Sequence, residues 1–384
     1  IDMAYLLLSY LLPTRLSVMG VICQILIKNP NGGIHWAGST VRGIIKYSTD
    51  EPKEYKDIIL SFVGNGRCRW EEKSGKSTTT YVGTEDYTSQ RISLIKEKDQ
   101  TFVLKQGINE YPFEFLIPED SPSSFKNYIC TIKYEITLEF VKTKMFSINN
   151  RFNTEIKVQG NVKPDSSEGK IVFGSEKKLL KLFSRKDNQI NLKAEISKTT
   201  YTTGENAELN IVVTNDTNIT IPSIKTELYE YIIYTSNGGH KKTSFNIIKE
   251  STSDLPSVPE KAVANMSTVI SVLPQLYSEQ NSKIMGIEYK MRVTVKLPMF
   301  RVNSFAEVPI VVRPCEIDKQ PCEECLDDGP PSYWEVMNKD ESYDAGENKS
   351  KHIEEYEEKN GCHSNQTEEF DDNVKEKTTK DFES

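Results

Sequence analysis

Histidine is scarce in this 384-residue chain: only His35, His240, His352 and His363 occur. No G-x-S-x-G, H-E-x-x-H or phosphate-cradling glycine loop accompanies them, so the common routes to nucleophilic, zinc and nucleotide chemistry lack their residues. His35 lies beside Trp36 near a turn, and His240 follows a Gly-Gly hairpin signal. Both read as solvated surface residues rather than general bases. The expectation is a protein with no enzymatic activity and no cofactor.

Cysteine is also sparse and odd in number: Cys23, Cys68, Cys130, Cys315, Cys322, Cys325 and Cys362. This fits a reducing compartment better than a disulfide scaffold. None lies between Cys130 and Cys315, so residues between them hold no internal disulfide. Cys322-x-x-Cys325, with Cys315 and Cys362 or His363, offers half a zinc site. The second pair at matching spacing is missing, so unpaired thiols and no metal are expected.

Long apolar runs are missing too. Met3 to Leu12 is interrupted by Ser9 and Tyr10 and ends at Pro13. It is too short to span a bilayer and lacks the basic start and small-residue cleavage site of a signal peptide. Met19-Gly20 reads as the native start, with residues 1–18 an upstream extension. Gln24 stands where myristoylation of Gly20 would want Ser or Thr. Sequons begin at Asn215, Asn218, Asn265, Asn348 and Asn365, but without a secretory route they carry no weight. No basic run with interleaved aromatics is present, which argues against nucleic acid as a partner.

What the chain does have is β pattern and a divided charge. The net −8 hides 22 acidic and 8 basic residues in 315–384, against 34 acidic and 40 basic in 1–314. From Tyr128 to Phe140, Ile132, Tyr134, Ile136, Leu138 and Phe140 alternate with Lys133, Glu135, Thr137 and Glu139. That spacing predicts a strand with an apolar face inward and a charged face in water. Ile287 to Leu297 repeats it. Shorter strands are expected at 41–47, 58–63, 91–96, 101–104, 209–214 and 228–234. Asn31-Gly32-Gly33, Asn237-Gly238-Gly239 and Thr203-Gly204-Glu205 mark turns between strands. Helical periodicity is nearly absent, so antiparallel sandwiches are expected rather than a parallel α/β sheet.

Residues 164–187 read as a linker between two domains, 20–163 and 188–314, each large enough for its own core. The linker carries Lys177, Lys178, Lys181, Arg185 and Lys186, a candidate site for contact with anions such as lipid headgroups, giving peripheral membrane contact. From residue 315 acids crowd and apolar residues thin out, the composition of a disordered tail. Within it stands Pro330-Pro331-Ser332-Tyr333. Two prolines favour the extended polyproline conformation, and the ring two residues later fills a neighbouring pocket, the ligand shape that WW domains accept. At this proline and tyrosine content, a chance P-P-x-Y is expected about 0.04 times.

Further segments occur in a telling order. Asn29-Pro30 precedes Ala37-Gly38-Ser39-Thr40-Val41-Arg42-Gly43, then Ile59 to Gly64, Trp70, Tyr111 to Pro118 and Pro122-Ser123-Ser124-Phe125. Tyr201-Thr202-Thr203-Gly204-Glu205 and Glu307 to Val312 follow. In this order residues 20–313 resemble the arrestin-domain-containing proteins, the α-arrestins. The resemblance implies an all-β fold: two arrestin-type immunoglobulin-like β-sandwich domains followed by a disordered acidic tail. It further implies a cytoplasmic adaptor, recruited to the plasma membrane and endosomes. Pro330, Pro331, Ser332 and Tyr333 would recruit WW-domain HECT-type ubiquitin ligases, while the body engages membrane receptors or transporters as cargo. The chain departs from the family in carrying one such motif where members often carry two, which weakens avidity for a multi-WW ligase. The thioredoxin-interacting branch relies on a cysteine in its second domain; this chain has none there, so no thioredoxin binding is expected. An arrestin-fold sorting or coat component acting without a ligase is the alternative reading.

Overall fold

Two pairs of facing sheets follow one another along the chain, as described by a computed structural model. It describes residues 16–18, 20–29, 33–95, 102–144, 148–165, 169–179, 188–298 and 301–315, all within one compact unit. Among the described residues there is no α-helix.

The first sheet has the order β1 (Leu16–Val18), β2 (Val21–Ile27), β4 (Thr40–Thr49), β8 (Gly107–Leu116), all antiparallel. Leu16–Val18, inside the stretch read as an upstream extension, thus pair with β2. Pro112 is accommodated because β8 is an edge strand, where a missing N–H interrupts no ladder. Facing this sheet are β3 (Ile34–Trp36), β11 (Asn150–Gln159), β10 (Cys130–Lys142), β5 (Lys53–Ser74) and β6 (Ser77–Ser93). β7 (Phe102–Leu104) adds to β5 and β9 (Phe125–Lys126) to β10. Aromatic rings join the two layers. Tyr47 meets Phe140 edge-on at 5.4 Å, and Phe62 lies 5.7 Å from Phe115.

In the second half, β12 (Ile171–Lys178), β13 (Gln189–Ile196), β15 (Asn206–Asn215) and β18 (Ala262–Ser271) form one sheet. β14 (Thr200–Thr202), β20 (Ser304–Arg313), β19 (Met285–Lys296), β16 (Ser223–Thr235) and β17 (Lys241–Leu255) form the other. The stretch expected to be linker therefore contains β12, which pairs with β13 along its whole length.

Sequence alternation sets the cores. Ile132, Tyr134, Ile136, Leu138 and Phe140 of β10 are each at most 2% exposed. Tyr289, Met291, Val293 and Val295 of β19 behave alike. The opposite face of β19 is not the open charged surface expected: Thr294 is buried, and Lys290 and Arg292 are half-buried beneath aromatic rings. His35 corrects a second expectation. It is 3% exposed in β3, paired beside Val158 of β11, and burial lowers its pKa below the ordinary imidazole value. The third correction concerns cysteine: Cys68 and Cys130 are joined in a disulfide. Sparse spacing hid this, because the partners stand 62 residues apart in sequence and only strand pairing brings them together.

Candidate functional site

A polar construction of many hydrogen bonds lies where the two halves meet. β5 and β6 run far past their own sandwich, joined by a two-residue turn at Gly75 with φ of +61°. Their extended part meets the turn between β16 and β17, residues 236–240, and the segment that leads into β19, residues 277–284.

At one end of this seam Asn237 donates its backbone N–H to Val82 O at 2.9 Å and pairs through its side chain with Thr84. His240 stacks on Tyr81 with ring centroids 4.0 Å apart, and its Nε2 lies 3.1 Å from Glu72 Oε2. Glu72 Oε1 accepts from Trp70 Nε1 at 3.1 Å. His240 is thus an interdomain packing residue, not the free turn histidine expected.

In the middle, Glu85 accepts from Ser282 Oγ at 3.0 Å and from Lys283 N–H at 2.8 Å, while Tyr87 and Ser282 share a hydroxyl bond of 2.9 Å. Beyond it Glu279 is 3% exposed. Its Oε2 accepts Ser123 N–H and its Oε1 accepts Asn281 N–H, both at 2.8 Å. Burial raises its pKa above the ordinary carboxylate value, and the backbone donors offset part of that rise. Burial likewise raises Tyr87, Tyr134 and Tyr277 out of the titrating range, so their hydroxyls stay neutral. Asn281 Nδ2 donates to Asn161 O at 2.6 Å, and Lys163 N–H to Gln280 Oε1 at 3.2 Å. The arrangement spends its polar groups on one another. It fixes the two sandwiches in one orientation.

A second feature is the outer face of the sheet formed by β16, β17, β19 and β20. Arg292 lies between the rings of Tyr229, 3.9 Å from its centroid, and Phe305, 4.6 Å away. Its Nε donates to Glu307 Oε1 at 2.6 Å. Phe245 and Phe305 remain exposed there.

The residues singled out in the sequence fall elsewhere. Pro330, Pro331, Ser332 and Tyr333 lie outside the described residues, as do Lys181, Arg185 and Lys186. Lys177 and Lys178 end β12. The Lys177 ammonium bonds the carbonyls of Val302 and Asn303, and Lys178 pairs with Glu176 at 3.5 Å. Of the five proposed anion-contact residues, only Lys177 and Lys178 are among the described residues, and both ammonium groups have partners within the chain. The seam went unread in the sequence, although Gly64, Gly66 and Gly83 within strand pattern signal close approach of another group. Among the described residues no group of His, Cys, Asp and Glu is arranged to hold a metal, and no helix is long and apolar enough to cross a membrane.

Two β-sandwiches locked through an extended hairpin define a two-domain arrestin fold. Comparison with known families agrees. Residues 23–164 match the arrestin (or S-antigen) N-terminal domain and residues 186–317 the arrestin (or S-antigen) C-terminal domain. Arrestin domain-containing protein 5 of Homo sapiens is 20% identical over 320 residues, covering 79% of this chain and 92% of that protein. Its Bos taurus counterpart is 22% identical over 319 residues, with 78% and 93% covered. Arrestin domain-containing protein 17 of Caenorhabditis elegans is 25% identical over 211 residues, half of this chain and 47% of its own length. The chain belongs to the arrestin domain-containing, α-arrestin-like proteins. Membership in this family points to an adaptor-type role.

Proposed function

We propose that this chain is an adaptor that recruits WW-domain HECT-type ubiquitin ligases to membrane cargo, promoting cargo ubiquitination, endocytosis and endosomal sorting. One observation carries the reading: a Pro330-Pro331-Ser332-Tyr333 segment follows a two-domain arrestin body within an acidic stretch. Two adjacent prolines lower the ordering cost on binding, since their φ angles are already set. Pro331 stacks in the aromatic groove, Tyr333 fills the adjoining pocket and Ser332 spaces them. The body contributes a rigid frame, which keeps bound cargo and recruited ligase at a limited separation and so raises their effective concentration. The reading places the protein in the cytoplasm, moving to plasma membrane and endosomes with its cargo. Lys181, Arg185 and Lys186 supply peripheral contact with anionic lipid headgroups.

The test is a pull-down from cytosol with the full chain and its Tyr333→Ala variant, probed for HECT ligases and for ubiquitin. Retention by the parent chain and loss by the variant supports the adaptor. Removing the tyrosine anchor costs about 2 kcal/mol or more of WW binding. Phosphorylation of Tyr333 puts charge where the pocket expects a ring, and blocks binding as well. Ligase absent from both captures sinks the proposal and favours an arrestin-fold sorting component that works without one.

A further inference from the structure

Strand register sets Cys68 of β5 directly opposite Cys130 of β10. Arg69 N–H donates to Ile129 O at 2.8 Å, so the next pair along carries the ladder bonds. The cysteines therefore occupy a non-hydrogen-bonded position, where facing side chains come closest. Their Cα atoms are 4.0 Å apart, the sulfurs are joined, and both residues are at most 1% exposed.

What covers them belongs to the other sandwich. Cys68 Sγ lies 3.5 Å from Ile284 O, the carbonyl that also accepts Thr235 N–H at 2.8 Å. The Ile284 side chain rests over Gly66 and Gly83, the two strand glycines that leave it room. Cys130 is tied in from its other side. Asn127 Oδ1 accepts Cys130 N–H, Asn127 N–H donates to Cys130 O, both at 2.8 Å, and Asn127 Nδ2 donates to Tyr234 OH at 2.6 Å. Each cysteine thus touches the second domain directly or through one residue.

We propose that the Cys68–Cys130 pair is a redox-operated latch on the interdomain seam. The disulfide holds β5 and β10 in the form on which Ile284 and Tyr234 pack, and reduction loosens that packing. Bonded sulfurs sit about 2 Å apart. Two thiols need van der Waals separation, roughly 3.5–4 Å as for other heavy atoms, and the space has to come from Ile284 or from the strand pair. The chemistry is thiol–disulfide exchange with a dithiol. Its thiolate attacks one sulfur, the S–S bond breaks, and the other cysteine leaves and takes up a proton. The dithiol's second thiolate then frees the first cysteine, which is protonated in turn, and closes the reductant into its own disulfide. Two electrons and two protons reach the protein. Glutathione disulfide reverses the step, releasing two glutathione thiols. Because both sulfurs are buried, an attacking thiolate waits for the seam to open, so the rate of reduction reports that opening.

The experiment compares the full chain treated with dithiothreitol against the chain equilibrated with glutathione disulfide. Maleimide labelling under denaturing conditions, read on the peptides carrying Cys68 and Cys130, gives their state. Amide hydrogen exchange gives the consequence. Reduction is expected to speed exchange at Thr235, Asn237, Lys283 and Ile284 by about tenfold, while β13 and β15 stay unchanged. His240→Ala, which touches neither sulfur, is expected to speed reduction about threefold or more. The Cys68→Ala/Cys130→Ala double variant, which has neither the bond nor the bulk of two thiols, is expected to show seam exchange that ignores reductant. Should that variant not fold, the reductant comparison and His240→Ala still decide. Equal labelling of the two peptides in both treatments overturns the latch. So does seam exchange that is insensitive to reduction, or a change spread evenly over both sandwiches.

Discussion

Asn237 and Thr84 exchange hydrogen bonds across the seam: Asn237 Oδ1 accepts Thr84 N–H at 2.9 Å, and Asn237 Nδ2 donates to Thr84 Oγ1 at 3.2 Å. One side chain from the β16–β17 turn thereby completes the ladder edge of β6. It does so because Gly239, at φ +79°, turns the chain back tightly enough to present Asn237 outward. Replacing Asn237 with Ala leaves Thr84 N–H to solvent and removes both bonds. The expected cost is about 1–2 kcal/mol. It appears as a lower urea midpoint with an unchanged m-value, since the exposed area on unfolding is the same.

Gly83 makes a sharper test of how closely the sandwiches pack. A Cβ added there would stand inside van der Waals contact with the backbone oxygen of Thr235, and backbone cannot rotate away as a side chain can. Gly83→Ala therefore pushes the β16–β17 turn off β6. About 1–3 kcal/mol is expected, in line with overpacking elsewhere. Hydrogen exchange is expected to rise at Asn237, whose N–H bonds Val82 O. A variant with the parent's midpoint and the parent's exchange at Asn237 contradicts the close approach.

Strands β10 and β19 were legible because one face of each is buried, so polar and apolar residues had to alternate. The seam was not. β5 reads as a strand only over Ile58 to Val63, because Gly64, Asn65 and Gly66 carry low β-propensity. They are there for tertiary reasons: the Tyr134 ring occupies the place of a Gly64 Cβ, and Tyr87 and Ile284 occupy that of Gly66. β17 escaped notice since Lys241 to Leu255 lacks clean alternation and pairs only with β16. The seam's residues come from distant stretches of the chain, as with Lys283 and Glu85 at a separation of 198 and Cys68 and Ile284 at 216. No local pattern encodes such a meeting. The WW-binding segment is the opposite case: four consecutive residues that need no fold to be read.

Arg292 separates charge from shape on the outer sheet face. Its guanidinium stacks between Tyr229 and Phe305 while bonding Glu307. Lysine preserves the charge but has neither the plane to fill that slot nor the fork to hold the carboxylate. Arg292→Lys is expected to lose about 1–2 kcal/mol, nearly as much as Arg292→Ala, because the stacking accounts for most of the interaction. Thermal denaturation of the two variants side by side checks this. Lysine matching the parent's Tm would mean that charge alone holds Glu307.

Glu279 predicts a pH dependence whose sign opposes the usual carboxylate. Its folded pKa is raised above the ordinary 4.5 because burial penalises the charge more than Ser123 N–H and Asn281 N–H relieve it. The folded chain thus holds this proton more tightly than the unfolded chain. Its contribution is fully present below the unfolded pKa and is lost as pH rises through the folded one. Its tyrosine neighbours do not titrate in this range: Tyr87, Tyr134 and Tyr277 are all pushed upward by burial. Glu279→Gln carries no proton to lose, so it removes this component of the slope. Urea unfolding of both forms from pH 4.5 upward is expected to show the parent losing stability relative to the Gln variant as pH rises. A parent that instead gains on the variant with rising pH would mean that the two backbone donors outweigh burial, and that the seam is built around a carboxylate anion rather than a neutral acid.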